Sequence, residues 1–198
     1  KVFLRLGNEG GLAWIGSGNL TRGGWGSNSE LAGAWQLGGP DADPGGWVTG
    51  LLSYLDSTLR PGLARDLLAR AQRLEWLPDA PEPGTGPVLF SHDQTLAGQI
   101  DRRWAERKFT SVKILTGSTD RDAAMLKWTV ERFGIQQVQI CVTPERASFD
   151  VAALDQLDAS IRFVDPPTEK PVHAKFYWFD GPEGAAAVWG SANSSRAA

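Results

Sequence analysis

Short apolar runs and alternating apolar positions dominate the first part of the chain and then give way to helical spacing. The pattern predicts a β-hairpin and a third strand, joined by a Gly-rich loop. Two helices follow, separated at the Arg60-Pro61 step because proline interrupts a helix. The strands fall at residues 2–6, 11–15 and 31–37, and the helices at 47–59 and up to about residue 74.

The later part of the chain alternates strands with helices. Ser91 or Asp93 is the expected N-cap of the first of these helices. A βαβαβ order of this kind is typical of a sheet covered by helices, so the sequence predicts an α/β fold. The strands are predicted at residues 88–90, 111–118, 138–143 and 160–165, and the helices at 91–109, 120–133 and 150–157.

A stretch rich in proline and glycine separates the two parts. Residues 79–87, DAPEPGTGP, have no hydrophobic periodicity and are predicted to be a linker. The chain is thereby divided into an N-terminal half, residues 1–78, and a C-terminal half, residues 88–198.

The two ends of the chain are copies of one another. KVFLRLGNEGGLAWIGSGNLTR at residues 1–22 aligns without a gap with KFYWFDGPEGAAAVWGSANSSR at residues 175–196. Two copies this far apart favour a duplicated domain over a solenoid, which needs several short repeats. The second copy has His173 two residues before its lysine, so we expect a histidine two residues upstream of Lys1 in the parent protein. The first half is therefore expected to be truncated at its start and the second at its end.

The repeated segment places polar side chains on one face of a hairpin. His173 and Lys175 are two residues apart in strand-forming sequence, as are Ser191 and Asn193, so each pair leaves one side of its strand. Two such halves would surround one pocket with imidazoles, ammonium groups and amides. That set suits a phosphodiester, whose anionic oxygens need cations and amide donors. One histidine can attack phosphorus while the other protonates the leaving oxygen.

These residues carry a resemblance to a known family. HAKFYWFD followed by GSAN resembles the HxKxxxxD and GSxN motif of the phospholipase D superfamily, and GSGNLT with NSE resembles the same motif in the first half. The resemblance implies two pseudo-symmetric phospholipase D-like halves, each a mixed β-sheet flanked by helices, with the active site at their interface. It also implies a phosphohistidine intermediate, with no metal and no cofactor.

The resemblance assigns roles to residues at both ends of the chain. It implies that His173 is one of two catalytic histidines and that Glu30 orients a catalytic histidine. The positions matching the family's phosphate-binding residues are Lys1, Asn19, Lys175 and Asn193, and the motif serines are Ser17 and Ser191.

Two other residues are expected to stand outside the chemistry. Asp180 has no counterpart in the first half, where Leu6 stands, and strand alternation places it on the opposite face from His173. His92 lies at a predicted strand–helix junction without a repeat partner. A surface or capping role is therefore favoured for His92 over a substrate contact.

Composition excludes several functions. Two histidines and one cysteine give no cluster at zinc spacing, and the lone Cys141 is expected in the core of a protein from a reducing compartment. No apolar run approaches the ~20 residues of a membrane span and no secretory signal is visible, so a cytoplasmic protein without a membrane partner is expected. A net charge of −3 is compatible with nucleic-acid binding through a local basic groove.

Two features bear on nucleic acid as a partner. The sequence has one dense cluster of basic residues. The favoured interpretation is a solvated helix face whose basic side chains pair with nearby carboxylates, and the alternative is contact with a nucleic-acid backbone. Trp25 and Trp47, in or beside Gly-rich loops, are candidates to stack on bases, while the other tryptophans are expected in the core. The basic cluster comprises Arg102, Arg103, Arg107 and Lys108.

The motifs predict the reaction class more narrowly than the substrate. The expected activity is metal-independent phosphodiester cleavage by a nuclease acting on DNA, because compact bacterial relatives of this kind often act on DNA, alone or fused to helicase or defence modules. One alternative is a phospholipase or phosphatidyl-transferase, which would present apolar loops to a lipid surface. The other is a catalytically silent binding module, discriminated by the residue two positions before Lys1.

Overall fold

The computed structural model describes residues 1–39, 46–79, 86–91, 94–166 and 170–192. Within these ranges the protein is a mixed α/β structure with two sheets. The strands are β1 (Val2–Leu6), β2 (Gly11–Gly16), β3 (Ala32–Leu37), β4 (Ser111–Leu115), β5 (Gln137–Cys141), β6 (Ser160–Val164), β7 (Phe176–Asp180) and β8 (Ala186–Trp189). The α-helices are α1 (Gly46–Thr58), α2 (Leu63–Ala71), α3 (Leu96–Arg103), α4 (Ala124–Phe133) and α5 (Val151–Leu154).

The chain forms two compact units that do not follow chain order. The motif unit consists of Lys1, Ile15–Gly33 and Glu106–Ala198, and the helical unit of Val2–Trp14 and Ala34–Ala105. Segments from both ends of the chain therefore belong to the motif unit. The predicted division into two halves at residues 79–87 stays a prediction, and most of that linker lies outside the described residues.

A five-stranded sheet organises the motif unit. Its order is β6-β5-β4-β7-β8, with β4, β5 and β6 parallel and with β7 antiparallel to both β4 and β8. Parallel neighbours need a crossover connection, which α4 supplies between β4 and β5 and α5 between β5 and β6. The predicted βαβαβ order is thus confirmed.

One face of this sheet is the core of the motif unit. Residues in register share a face, and the pairs Val112–Val138 and Ile114–Ile140 are all buried. Phe179, opposite Val112 on β7, is also buried, and its ring lies 5.7 Å from that of Phe133 near the end of α4. Helix α4 therefore covers this face.

The helical unit contains most of a three-stranded antiparallel sheet, in the order β1-β2-β3, and helices α1 to α3. Trp47, at the start of α1, is 3% exposed and packs edge-on against Trp35 of β3, with ring centroids 5.4 Å apart. The proposal that Trp47 stacks on bases is therefore wrong, because its ring is enclosed by the core. The side chain of Trp25 lies outside the described part of the structure.

The two copies of the sequence repeat form the same local structure. Each is a two-stranded hairpin, β1–β2 in the first copy and β7–β8 in the second. One backbone hydrogen bond recurs at aligned positions: Gly16 N–H donates to Lys1 O at 3.0 Å, and Gly190 N–H donates to Lys175 O at 3.2 Å. The predicted hairpins are confirmed.

Several predicted elements differ from the structure around α3. Residues 88–90 do not form a strand, and α3 begins at Leu96 and ends at Arg103. Its N-cap is Thr95, whose hydroxyl accepts a hydrogen bond from Gly98 N at 3.1 Å, so the capping role predicted for Ser91 is wrong. The other predicted cap, Asp93, and the neighbouring His92 lie outside the described residues.

Two side-chain expectations also change. Cys141 is only half-buried, because it lies in register with Leu115 and Val164 on the sheet face opposite α4. In the basic cluster, Arg107 donates to Gly184 O at 3.0 Å and lies over the Phe109 ring, so it is engaged within the protein.

None of the helices in the described ranges has the length and apolar character needed to cross a membrane.

Candidate active site

A short backbone junction brings the two ends of the chain together within the motif unit. Ser29 and Val172 form an isolated parallel β-bridge. Ser29 N–H donates to Pro171 O at 2.9 Å, and His173 N–H donates back to Ser29 O at 3.0 Å. Because Glu30 follows Ser29 and His173 follows Val172, this junction sets their side chains beside each other.

Sheet topology fixes where this junction lies. Strand β7 is antiparallel to β4, and Phe176 at the start of β7 pairs with Leu115 at the end of β4. His173 and Lys175, which precede β7, therefore lie at the carboxyl end of the parallel strands, the usual position of ligand sites in α/β sheets. The loop after β4 passes directly beside them. A Cβ added to Gly117 would lie 3.4 Å from both His173 Cα and Lys175 Nζ.

The central contact of the site joins Glu30 to His173. His173 Nδ1 lies 2.9 and 3.0 Å from the two carboxylate oxygens of Glu30. An ionised carboxylate only accepts hydrogen bonds, so Nδ1 carries the proton and donates it. The lone pair of the neutral imidazole is then on Nε2, which is the arrangement a nucleophilic histidine needs.

Three side chains hold the Glu30 carboxylate in place and ionised. Ser17 Oγ donates to Glu30 Oε2 at 2.5 Å, and Asn28 Nδ2 donates to Oε1 at 3.3 Å. Burial by itself would raise the pKa of Glu30, but the hydrogen bonds from Ser17, His173 and Asn28 outweigh it and lower the pKa. Ser17 is itself fully buried and accepts a hydrogen bond from Leu31 N at 3.1 Å.

Lys175 is a buried cation next to this pair. It is 2% exposed, and its Nζ donates to the backbone carbonyl of His173 at 2.5 Å. The pKa of Lys175 is lowered to about 8, mainly by burial and also by the positive charges of Lys1 and Arg146, while Glu30 acts in the opposite direction. An ammonium group held this way retains two N–H donors for an anionic ligand.

The structure brings together some of the residues that the sequence predicted and leaves others apart. Ser17, Glu30, His173 and Lys175 form one connected cluster, and Lys1 lies close enough for its charge to act on Lys175. These residues all belong to the motif unit.

The amide and serine positions of the motifs are placed differently. Asn19 is exposed, and within the described part of the chain its side chain has no hydrogen-bond partner. Ser191 is exposed as well, in contrast to its buried repeat partner Ser17. Asn193 lies outside the described residues.

The contacts of Asp180 agree with the structural role expected for it. It accepts a hydrogen bond from Trp178 Nε1 at 2.8 Å and lies 3.6 Å from Lys113 Nζ. Both neighbours are on the sheet face opposite the core, and both are partly exposed.

Sequence reasoning missed three residues of this region. Asn28 holds the carboxylate, Gly117 lies where a Cβ would meet both motif residues, and Arg146 adds a positive charge near Lys175. Asn28 could have been found from its place two residues before Glu30 in the NSE segment. The other two lie on loops after β4 and β5 whose proximity to β7 depends on the sheet order.

No group of three or more histidine, cysteine, aspartate or glutamate side chains able to hold a metal occurs among the described residues.

Comparison of the chain with protein-family models gives no match, and comparison with curated proteins gives no significant match either.

Proposed function

We propose that the motif unit carries a phospholipase D-like site that cleaves phosphodiesters without a metal, and that its substrate is DNA. The observation that supports this most strongly is the Glu30–His173 contact, in which a carboxylate fixes Nδ1 and leaves Nε2 as the reactive nitrogen. The buried cation Lys175 beside it supplies the charge that a phosphodiester needs. The choice of DNA rests on the resemblance.

In the proposed reaction an imidazole attacks the phosphorus atom. If His173 is the attacking residue, its Nε2 forms the N–P bond while the P–O bond to the leaving group breaks. A second histidine, as the resemblance implies, then protonates the leaving oxygen. Water hydrolyses the N–P bond and regenerates the imidazole. Glu30 stabilises the positive charge that develops on the His173 ring.

The cations stabilise the phosphoryl oxygens as charge shifts during attack. Lys175 is held by its hydrogen bond to the His173 carbonyl, so its ammonium group needs little reorganisation when the substrate arrives. Lys1 is exposed, and it lies near enough to Lys175 for its charge to act on that residue. It is proposed to contact the same phosphate. Asn19 and Asn193 are proposed to donate amide hydrogen bonds in the bound state, as the resemblance implies.

One observation favours the lipid alternative. Leu20 is 86% exposed and directly follows the motif residue Asn19. A large apolar side chain at the edge of a site is a feature of proteins that dock on lipid surfaces. A phospholipase or phosphatidyl-transferase is therefore the second candidate, to be separated from a nuclease by experiment.

The experiment measures cleavage of two substrate classes by the wild-type protein and by two histidine variants. Labelled single- and double-stranded DNA and phosphatidylcholine vesicles are incubated with the wild-type protein, with His173→Ala and with His92→Ala. Cleavage of DNA that disappears in His173→Ala and persists in His92→Ala supports the nuclease. Vesicle hydrolysis with the same dependence on His173, reduced by Leu20→Ser, transfers the proposal to lipid. Activity on neither substrate class by a folded wild-type protein would favour the silent module.

A further inference from the structure

Arg146 is an exposed arginine that the motifs do not include. It ends a short 3-10 turn, Pro144–Arg146, that follows β5. Within the described part of the chain its guanidinium group has no carboxylate partner. An arginine with no carboxylate partner among these residues can bind an anion from solution.

The turn that carries Arg146 is fastened to the loop beside the active site. Ser148 N–H donates to Thr119 Oγ1 at 2.9 Å, and Ser148 Oγ donates to the Thr119 carbonyl at 2.8 Å. Thr119 is two residues from Gly117, the glycine in contact with His173 and Lys175. A further backbone bond, from Thr116 N to Cys141 O at 3.2 Å, joins the ends of β4 and β5. These bonds hold Arg146 at the carboxyl edge of the sheet that carries the site.

The charges of this edge exceed what one phosphodiester requires. Lys1 and Arg146 are near enough to Lys175 for their positive charges to lower its pKa. The carboxylate of Glu30 acts in the opposite direction. A single diester carries one negative charge, and together with the Glu30 carboxylate it balances the charges of Lys175 and Lys1. A strand of nucleic acid brings further phosphates on either side of the one that reacts.

We propose that Arg146 binds a second, non-reacting phosphate of a nucleic-acid strand whose neighbouring phosphodiester is held by Lys175. The inference rests on the proposed function and makes it more specific, since it favours a polymeric substrate over a single diester. Arginine suits this role because its planar guanidinium group binds phosphate through two parallel hydrogen bonds and remains charged at all relevant pH values.

The test compares Arg146→Ala with Arg162→Ala on two substrates. Arg162 is an exposed arginine of β6 in the same sheet, so its variant makes the same change of charge away from the site. The substrates are a single-stranded oligonucleotide and bis(4-nitrophenyl) phosphate, which has one diester. In Arg146→Ala we expect kcat/KM to fall about tenfold more for the oligonucleotide than for the single diester. The slope of log(kcat/KM) against log[salt] should become shallower by about 0.7 for the oligonucleotide.

Two results would overturn the inference while leaving the proposed function intact. One is an Arg146→Ala variant that matches Arg162→Ala on the oligonucleotide. The other is an equal loss on both substrates, which would mean that Arg146 acts through Lys175 instead of through a second phosphate.

If the wild-type protein cleaves neither substrate, the proposed function fails and oligonucleotide binding still decides the inference. Fluorescence anisotropy of a labelled oligonucleotide then compares the two variants. Weaker and less salt-dependent binding by Arg146→Ala alone supports the second phosphate site, and equal binding overturns it.

Discussion

Glu30 accepts the Nδ1 proton of His173, so in the proposed mechanism the charge of Glu30 is expected to matter more than its shape. In Glu30→Gln the amide nitrogen can donate to Nδ1, which places the ring proton on Nε2 and removes the nucleophilic lone pair. We expect kcat to fall on the order of 10⁴-fold, as when the carboxylate of a catalytic histidine is neutralised elsewhere. Steady-state hydrolysis of a diester measures the effect.

Glu183→Gln is the matched control for that substitution. Glu183 is exposed in the β7–β8 turn, so its variant makes the same charge change without touching His173. A kcat of Glu30→Gln within tenfold of that of Glu183→Gln would mean that the carboxylate does not set the tautomer.

The two motif serines are equivalent in the repeat but have different environments. Ser17 is fully buried and accepts from Leu31 N while donating to Glu30. Ser17→Ala leaves that partly buried N–H without its acceptor, which costs about 1–3 kcal/mol of unfolding free energy. Ser191 is exposed, and Ser191→Ala is expected to change stability by less than about 0.5 kcal/mol. Urea unfolding of both variants tests this, and equal losses would contradict the assigned environments.

At the scale of elements, the loop between Asn19 and Glu30 depends on a glycine. A Cβ at Gly24 would lie 2.3 Å from Asn19 O and 2.6 Å from Asn19 N, whereas one at Gly26 meets nothing within 4 Å. Because the obstructing atoms belong to the backbone, Gly24→Ala must displace the loop between Asn19 and Glu30. We expect it to cost about 1–3 kcal/mol and to lower activity, while Gly26→Ala changes both less. Thermal unfolding and diester hydrolysis measure the two effects, and indistinguishable variants would contradict the packing described.

The hairpins and the βαβαβ order were predictable because each depends on local pattern. The motif resemblance also predicted that Glu30 orients a catalytic histidine, and the structure places Glu30 against His173. The strand order could not be read from periodicity, and it is this order that places Gly117 and Arg146 near Lys175. The start of α3 was misplaced because Ser91, Asp93 and Thr95 are all good capping residues, and tertiary structure selects Thr95.

At the scale of the whole molecule, burial of Lys175 links the site to stability. Its pKa of about 8 lies below the ordinary value of 10.5, so between these pH values the unfolded chain binds more protons than the folded protein. The contribution of Lys175 to the free energy of unfolding therefore rises as pH increases through this window. Relative to Lys175→Met, the wild-type protein is expected to gain stability from pH 7.5 to pH 10.

Denaturant unfolding at several pH values measures the difference in unfolding free energy between the wild-type protein and Lys175→Met. The titration of all other groups cancels in that difference. A difference that stays constant or falls over the window would mean that Lys175 is not buried as a charged group.

We propose that His173, oriented by Glu30, cleaves phosphodiesters without a metal. The most direct measurement incubates the protein with labelled single- and double-stranded DNA in excess EDTA, with His173→Ala alongside. We expect cleavage that survives EDTA and disappears in the variant. Cleavage that EDTA abolishes, or that His173→Ala retains, would contradict it.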